Sequence, residues 1–248
     1  MWMLFLCVAW AAAIVSCAHL CRAAVAAAQL PSSAPAEGDG RLGLYEMAYL
    51  SGGPRRVTDL AMVTMGRQRR LHLAGTGWAT VVDPEGRNAI ERALIAAIGP
   101  EGQRQIPATR AAHAASDVLG TLADRLTTAG LAVPAAARES VASGMREVRA
   151  AVVVIVVMLA AATASDPGGT APIAPWFALP LLLTAGCFGI ARVEIHPYTR
   201  WASPTGQDLL RAVPVPRSPA PDDAQLLTAL AVRGPSALPD PELRAALA

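Results

Sequence analysis

The sequence predicts a mainly α membrane protein, with three transmembrane helices and a small α+β winged-helix-like soluble domain. Two observations carry this. Apolar runs cover residues 2–21, 150–165 and 173–191, and a polar stretch of about a hundred residues separates the first from the second. Within that stretch the pattern runs helix, helix, β-hairpin, which is the order of a winged-helix unit.

The first run, residues 2–21, contains no charged residue and is long enough to cross a hydrocarbon core of about 30 Å at about 1.5 Å per residue. The second is built on Val152-Val153-Val154-Ile155-Val156-Val157 and spans only about 24 Å, so it draws on Val148 or on local thinning of the bilayer. The third carries Trp176 near its outer end as an interfacial anchor. Asp166-Pro167-Gly168-Gly169-Thr170 supplies the turn between the last two runs.

Arginine placement orients the runs. No basic residue precedes Arg22 and none lies between Asp166 and Pro172, whereas Arg22, Arg146, Arg149 and Arg192 mark the opposite helix ends. The positive-inside rule then sets the N-terminus and the short loop outside, with the soluble domain and C-terminal tail cytoplasmic. Two rival readings concern the first run alone. Ala26-Ala27-Ala28 resembles a signal cleavage site, and Ile14-Val15-Ser16-Cys17 is a permissive lipobox. Both signals normally carry a basic n-region, which Met1 to Ser16 lacks, so an uncleaved anchor is expected.

The expected organisation is therefore an anchor at 1–28, a linker at 29–41, a winged-helix-like domain at 42–148, a helical hairpin at 149–192, and a Pro-rich connector with short helices at 193–248. Pro31 to Gly40 reads as a flexible linker. Leu44 to Leu50 reads as a short helix stopped by Ser51-Gly52-Gly53, and Pro54 sits at a favoured first helical position. Val57, Leu60, Ala61, Thr64 and Met65 then make residues 54–70 an amphipathic helix. Leu71 to Ala74 and Trp78 to Val82, around Gly75-Thr76-Gly77, read as a hairpin. Asn88 opens a helix with Ile90, Leu94, Ala97 and Ile98 on one face, and residues 109–128 form another. In the tail, Leu226, Leu227, Leu230, Leu238, Leu243 and Leu247 give an apolar face without an evident partner of its own.

Charge and motif content narrow the chemistry. All 21 basic residues are Arg, and the bias towards Ala, Arg, Gly and Pro is that of a GC-rich gene. Arg55, Arg56, Arg67, Arg69 and Arg70 form the candidate interaction face, the position a winged helix would turn to DNA. Between Arg41 and Arg149, 14 Arg stand against 10 acids, which is no basic stripe, so nucleic acid is not the expected partner. His19, His72, His113 and His196 are scattered outside any metal-ligand spacing. Cys17 and Cys21 share a helix face with His19 near, but a fourth ligand is missing and small apolar packing is the expected role. Asp83 and Glu85, beside Pro84 and Gly86, read as a polar turn rather than an acid pair. No nucleophile or dinucleotide motif occurs, so no catalytic, cofactor or metal residue is assigned.

Leu44-Tyr45-Glu46-Met47-Ala48-Tyr49-Leu50-Ser51-Gly52-Gly53-Pro54-Arg55-Arg56-Val57 resembles the opening of an actinobacterial family of small membrane proteins known as a conserved domain of unknown function. The resemblance continues through Leu122-Ala123-Asp124-Arg125-Leu126-Thr127-Thr128-Ala129-Gly130-Leu131 and ends with the segment from Ala237 to Leu247. It implies the same architecture and no catalytic residue. The expected function is a non-enzymatic interaction or regulatory module tethered to the lipid bilayer and binding another protein. The alternatives are a membrane-bound DNA-binding regulator and an accessory subunit of a membrane enzyme or transporter. No small-molecule substrate is expected.

Overall fold

The computed structural model describes residues 2–28, 42–165, 174–194, 201–215 and 222–247. The expected linker at 29–41, the turn at 166–170 and parts of the Pro-rich connector lie outside them. Ten α-helices and three strands follow in order: α1 (Trp2–Ala28), α2 (Leu44–Arg67), β1 (Leu71–Ala74), β2 (Trp78–Val81), α3 (Ala89–Ile98), β3 (Gln103–Gln105), α4 (Ile106–Ala114), α5 (Asp117–Thr128), α6 (Ala135–Ser165), α7 (Ala174–Glu194), α8 (Pro204–Ala212), α9 (Asp223–Arg233) and α10 (Pro241–Ala246). They sort into two compact units. One comprises α1, α6 and α7; the other joins residues 42–133 to residues 201–247.

In the three-helix unit, α1 and α6 bury small and branched side chains against each other. Ala9 and Ala13 of α1 pack with Ile155 and Ala162 of α6 and with Phe177 of α7. At the other end Leu20 packs on Val148, flanked by Met145, Cys187 and Phe188. Rising numbers on α1 therefore meet falling numbers on α6, so these helices are antiparallel, and α7 runs back beside α6. Close approach is made possible at Gly144, where an added methyl would stand 3.2 Å from the Leu20 backbone. The buried positions of α6, Val141, Gly144, Val148, Ala151 and Ile155, recur every three or four residues, the seam expected of paired helices.

Outward from that seam the unit is greasy: Val153, Val156, Val157, Leu179 and Leu182 are exposed, Leu182 to 69%. Two helices are long and apolar enough to cross a membrane, α1 over Trp2–Arg22 and α6 over Ala135–Ser165. The apolar stretch of α7, Pro175–Gly189, is shorter, about 22 Å at 1.5 Å per residue. Helix α6 is a single 31-residue helix, so its polar first half and apolar second half share one axis.

The second unit is built around α2. Thr58 through Val63 are all buried, six consecutive residues, which only a helix covered on every side can achieve. The sequence pattern predicts a one-sided helix here. The difference comes from the tail: Leu226, Leu230 and Ala231 of α9 join the same core as Val57, Leu60, Leu94, Leu119 and Leu126, so Met62 and Val63 are covered too. Leu238 and Leu247 complete that core.

Helix α2 bends at Gly53, whose φ of 70° and ψ of −161° lie outside the range open to other residues. Two helical segments meet there, with Pro54 opening the second as its fixed φ favours. Strands β1 and β2 form the hairpin, with Leu71 opposite Val81, and β2 also pairs antiparallel with β3. Residues 109–128 form two helices, not one: α4 ends at Ala114, and Ala115 and Ser116 separate it from α5. Where the chain departs for the three-helix unit and returns from it, Ala132 bridges to Ala202, Val133 donates to the Trp201 carbonyl, and Ser203 donates to the Leu131 carbonyl. The insertion therefore enters and leaves the second unit at one place.

Candidate functional site

Five arginines were singled out by sequence, and the structure distributes them over separate tasks. Arg55 is exposed on α2. Arg56, one residue on, is half-buried and donates from Nη1 to the carbonyls of Ala231 (3.4 Å) and Val232 (3.2 Å) at the C-terminal end of α9. Those carbonyls have no partner within their helix, so a guanidinium suits them, even though burial lowers the Arg56 pKa. Arg67 pairs with Asp223, the first residue of α9. Arg69 is exposed with φ of 58°, a left-handed residue that closes the turn from α2 into β1. Arg70 is buried, its side chain 5% exposed. The structure brings Arg56 and Arg67 to opposite ends of α9 and Arg70 into the interior.

Arg70 sits in a carboxylate clamp. Its Nη1 donates to Glu91 Oε2 at 2.7 Å and its Nε donates to Asp83 Oδ2 at 3.0 Å. Glu91 also accepts from the Arg87 backbone N–H and from Asn88 Nδ2, while Asn88 caps α3 by accepting from the Glu91 N–H. The Asp83 carboxyl is held below its usual pKa, first by the Glu85 backbone N–H and then by Arg70. The Glu85 N–H donates to Asp83 Oδ1 at 3.0 Å, and Asp83 is the exposed arm of an ion pair with buried Arg70.

Two further polar ties were not legible as a site. Arg110 of α4 donates from Nε to Asp59 Oδ1 of α2 at 2.6 Å, and from Nη2 to the carbonyl of Leu247 at 2.6 Å. Burial raises the Asp59 pKa, and the Arg110 hydrogen bond opposes that rise. Beside it, His113 Nδ1 lies 2.8 Å from Thr58 Oγ1, and its Nε2 lies 3.2 Å from the Ile90 carbonyl. A carbonyl can only accept, so Nε2 carries the proton, and the single Thr58 hydroxyl proton is shared between His113 Nδ1 and the Pro54 carbonyl, which lies 2.9 Å from Oγ1. Burial lowers the His113 pKa to about 4, consistent with that neutral tautomer. Hydrophobic positions at helical spacing foretold a helix after Pro54, but which polar residue on it meets which on α4 depends on the packing angle.

In the three-helix unit, His19 Nδ1 lies 3.1 Å from Glu147 Oε2, linking α1 to α6. The Arg149 guanidinium rests 5.4 Å from the Phe188 ring centroid. Exposed Arg22, Arg146 and Arg149 thus share one end of the unit with Leu20, Val148 and Phe188. Among the described residues, no group of three His, Cys, Asp or Glu side chains is placed to hold a metal ion. Comparison with protein-family models, with curated proteins and with solved structures found no match.

Residues 44–57, 122–131 and 237–247 meet inside the second unit. Glu46 of the first pairs with Arg125 of the second at 3.3 Å, and Leu238 and Leu247 of the third enter the core containing Leu50, Val57, Leu122 and Leu126.

Proposed function

We propose that the chain is a membrane-tethered, non-enzymatic interaction or regulatory module with three membrane spans and a winged-helix-like domain that binds another protein on the cytoplasmic side. The observation that carries this is the segregation of charge along the three-helix unit. Antiparallel packing puts the ends bearing Arg22, Arg146 and Arg149 together, while the half containing Ala9, Ala162 and Phe177 packs only apolar residues. That is the distribution expected where one helix end meets the cytoplasmic face. Helix α7 completes the bundle although its apolar stretch is short, and tilt or local thinning accommodates such a span.

For the second unit, what favours protein over DNA is the use made of its cations. Arg56, Arg67, Arg70 and Arg110 are engaged with carbonyls or carboxylates of the unit itself. DNA binding needs cations free to replace condensed counterions along one face. An accessory-subunit reading draws on a different observation: a methyl at Gly186 or Gly189 of α7 would meet nothing within 4 Å, leaving a smooth surface for another helix.

Topology tests the proposal. A reporter active only outside the membrane is inserted after Asp39 and, separately, after Gly169. Activity at Gly169 with silence at Asp39 is the expected result. Activity at Asp39 places the soluble domain outside the cell and overturns the cytoplasmic reading. Recovery of one stoichiometric membrane partner across several mild detergents would favour the accessory-subunit reading.

A further inference from the structure

Helix α6 has two unlike sides. Val141, Gly144, Val148, Ala151 and Ile155 are buried and form its seam with α1. On the opposite side Arg146, Arg149, Val153, Val156, Val157 and Ala160 are all exposed. Their spacing of three and four residues sets them on one strip. The three valines are at least half exposed, at 62%, 50% and 52%. The strip divides by chemistry: two guanidiniums stand one turn apart at its start, and hydrocarbon follows. Arg149 and Ala160 are eleven residues apart on one helix, about 16 Å at 1.5 Å per residue, which is the depth of one leaflet of a ~30 Å core.

Like charges one turn apart on a helix repel each other, and among the described residues neither Arg146 nor Arg149 meets a carboxylate. Glu147, the acid between them in sequence, is turned towards α1 and lies 3.1 Å from His19. Glu139, the nearest acid on the arginine side, is two turns away from Arg146, about 10 Å along the axis. Arg149 is steadied by α7, its guanidinium carbon 5.4 Å from the Phe188 ring centroid. In the second unit, by contrast, Arg56, Arg67, Arg70 and Arg110 all meet acceptors of the chain itself.

We propose that this strip binds one anionic phospholipid, its phosphate held between Arg146 and Arg149 and one acyl chain laid along Val153, Val156 and Val157. Arginine suits the first role, because its planar fork offers paired N–H donors to phosphate oxygens. The half-exposed valines suit the second, and their continuity with the arginines selects a lipid over free phosphate. The site rests on the membrane-embedded reading of α6 and goes beyond it. Orienting a helix needs only positive charge at one end, whereas a site discriminates between headgroups and places the acyl chain on one face.

The test uses the full chain in phosphatidylcholine vesicles holding a minor fraction of phosphatidylglycerol with a photoreactive acyl chain. After irradiation and digestion, label is expected on α6 between Arg149 and Ala160. It should exceed that from equally photoreactive phosphatidylcholine by on the order of tenfold, each arginine beside an anionic headgroup being worth roughly a factor of five. Arg146→Gln and Arg149→Gln each remove most of that preference, whereas Arg22→Gln, which deletes the same charge from α1, keeps it. Because the decisive ratio is read from the unaltered chain, a variant that fails to fold does not obscure the result. Equal labelling by the two lipids overturns the site, as does an Arg22→Gln loss equal to that of Arg149→Gln, or displacement by millimolar inorganic phosphate. Absence of label from α6 overturns it too, and shows a second copy of the chain covering the strip. Alkaline carbonate extraction of the same vesicles keeps the two readings apart: release of the chain defeats both, and retention with equal labelling defeats the lipid site alone.

Discussion

The indole of Trp201 occupies the space that any side chain on Gly53 would need: a methyl there would overlap the ring at Cε2 and Cζ2. Trp201 also meets Tyr49 edge to face, with centroids 5.5 Å apart. Gly53 therefore serves twice, by adopting φ of 70° and by yielding its side-chain volume to a residue nearly 150 positions away.

Gly53→Ala should cost about 2–5 kcal/mol, combining backbone strain with overpacking. Replacing Trp201 by Ala in the same chain removes the overlap but not the strain. A double-mutant cycle by denaturant unfolding should then show coupling of about 1 kcal/mol or more. Additivity would mean that the ring moves aside freely.

Arg110→Met should cost about 3–5 kcal/mol, because it strands Asp59 and the Leu247 carbonyl in the interior together. The pair Asp59→Leu with Arg110→Met should recover much of that loss, since an apolar pair leaves no buried charge. Thermal melts of both variants decide it; a double variant no better than the single one would assign the cost to shape instead.

His113 should make stability depend on acid. Its folded pKa, about 4, lies below the unfolded value of 6.5, so the unfolded chain binds the proton more readily between them. Stability is then full above pH 6.5 and falls as pH drops towards 4, by up to about 3 kcal/mol. Asp59 works the other way above pH 3.8, because its raised pKa makes the folded chain bind that proton more readily than the unfolded one. Comparison of the native chain with His113→Gln isolates the histidine: the variant should lose the downward slope below pH 6.5. An unchanged slope would remove His113 as its source.

In the three-helix unit, Gly144→Val should push α1 and α6 apart, because even a methyl would stand 3.2 Å from the Leu20 backbone and side chain. A cost of about 1–3 kcal/mol is expected, read as a lower melting temperature in detergent. Gly186→Val, which would meet nothing within 4 Å, should change little and serves as the comparison.

The parts of this fold that were legible in sequence are those set by local chemistry. Gly-Thr-Gly between two short apolar stretches gave the hairpin at Leu71–Val81, Asn88 gave the start of α3, and the Gly53-Pro54 step gave the bend in α2. Strand β3 was not legible because Gln103, Arg104 and Gln105 are polar and exposed, with no alternation to betray a buried face. The break between α4 and α5 falls at Ala115-Ser116, where neither Gly nor Pro stands to mark it. The tail leucines announced an apolar face but not its address, since that depends on α2 having a second face to cover. Spacing around α2 likewise cannot tell that Asp223 and Glu91 will arrive from elsewhere to meet Arg67 and Arg70.

The joining of residues 42–133 with 201–247 in one core sets an order of events during synthesis. The first of these segments leaves the ribosome with Leu60, Met62 and Val63 still lacking the covering that Leu226 and Leu230 provide. Both helices of the insertion must be made before that covering arrives. A half-made domain with an uncovered apolar helix must therefore persist through the synthesis of α6 and α7, a window in which a chaperone would find it and a truncated chain would aggregate.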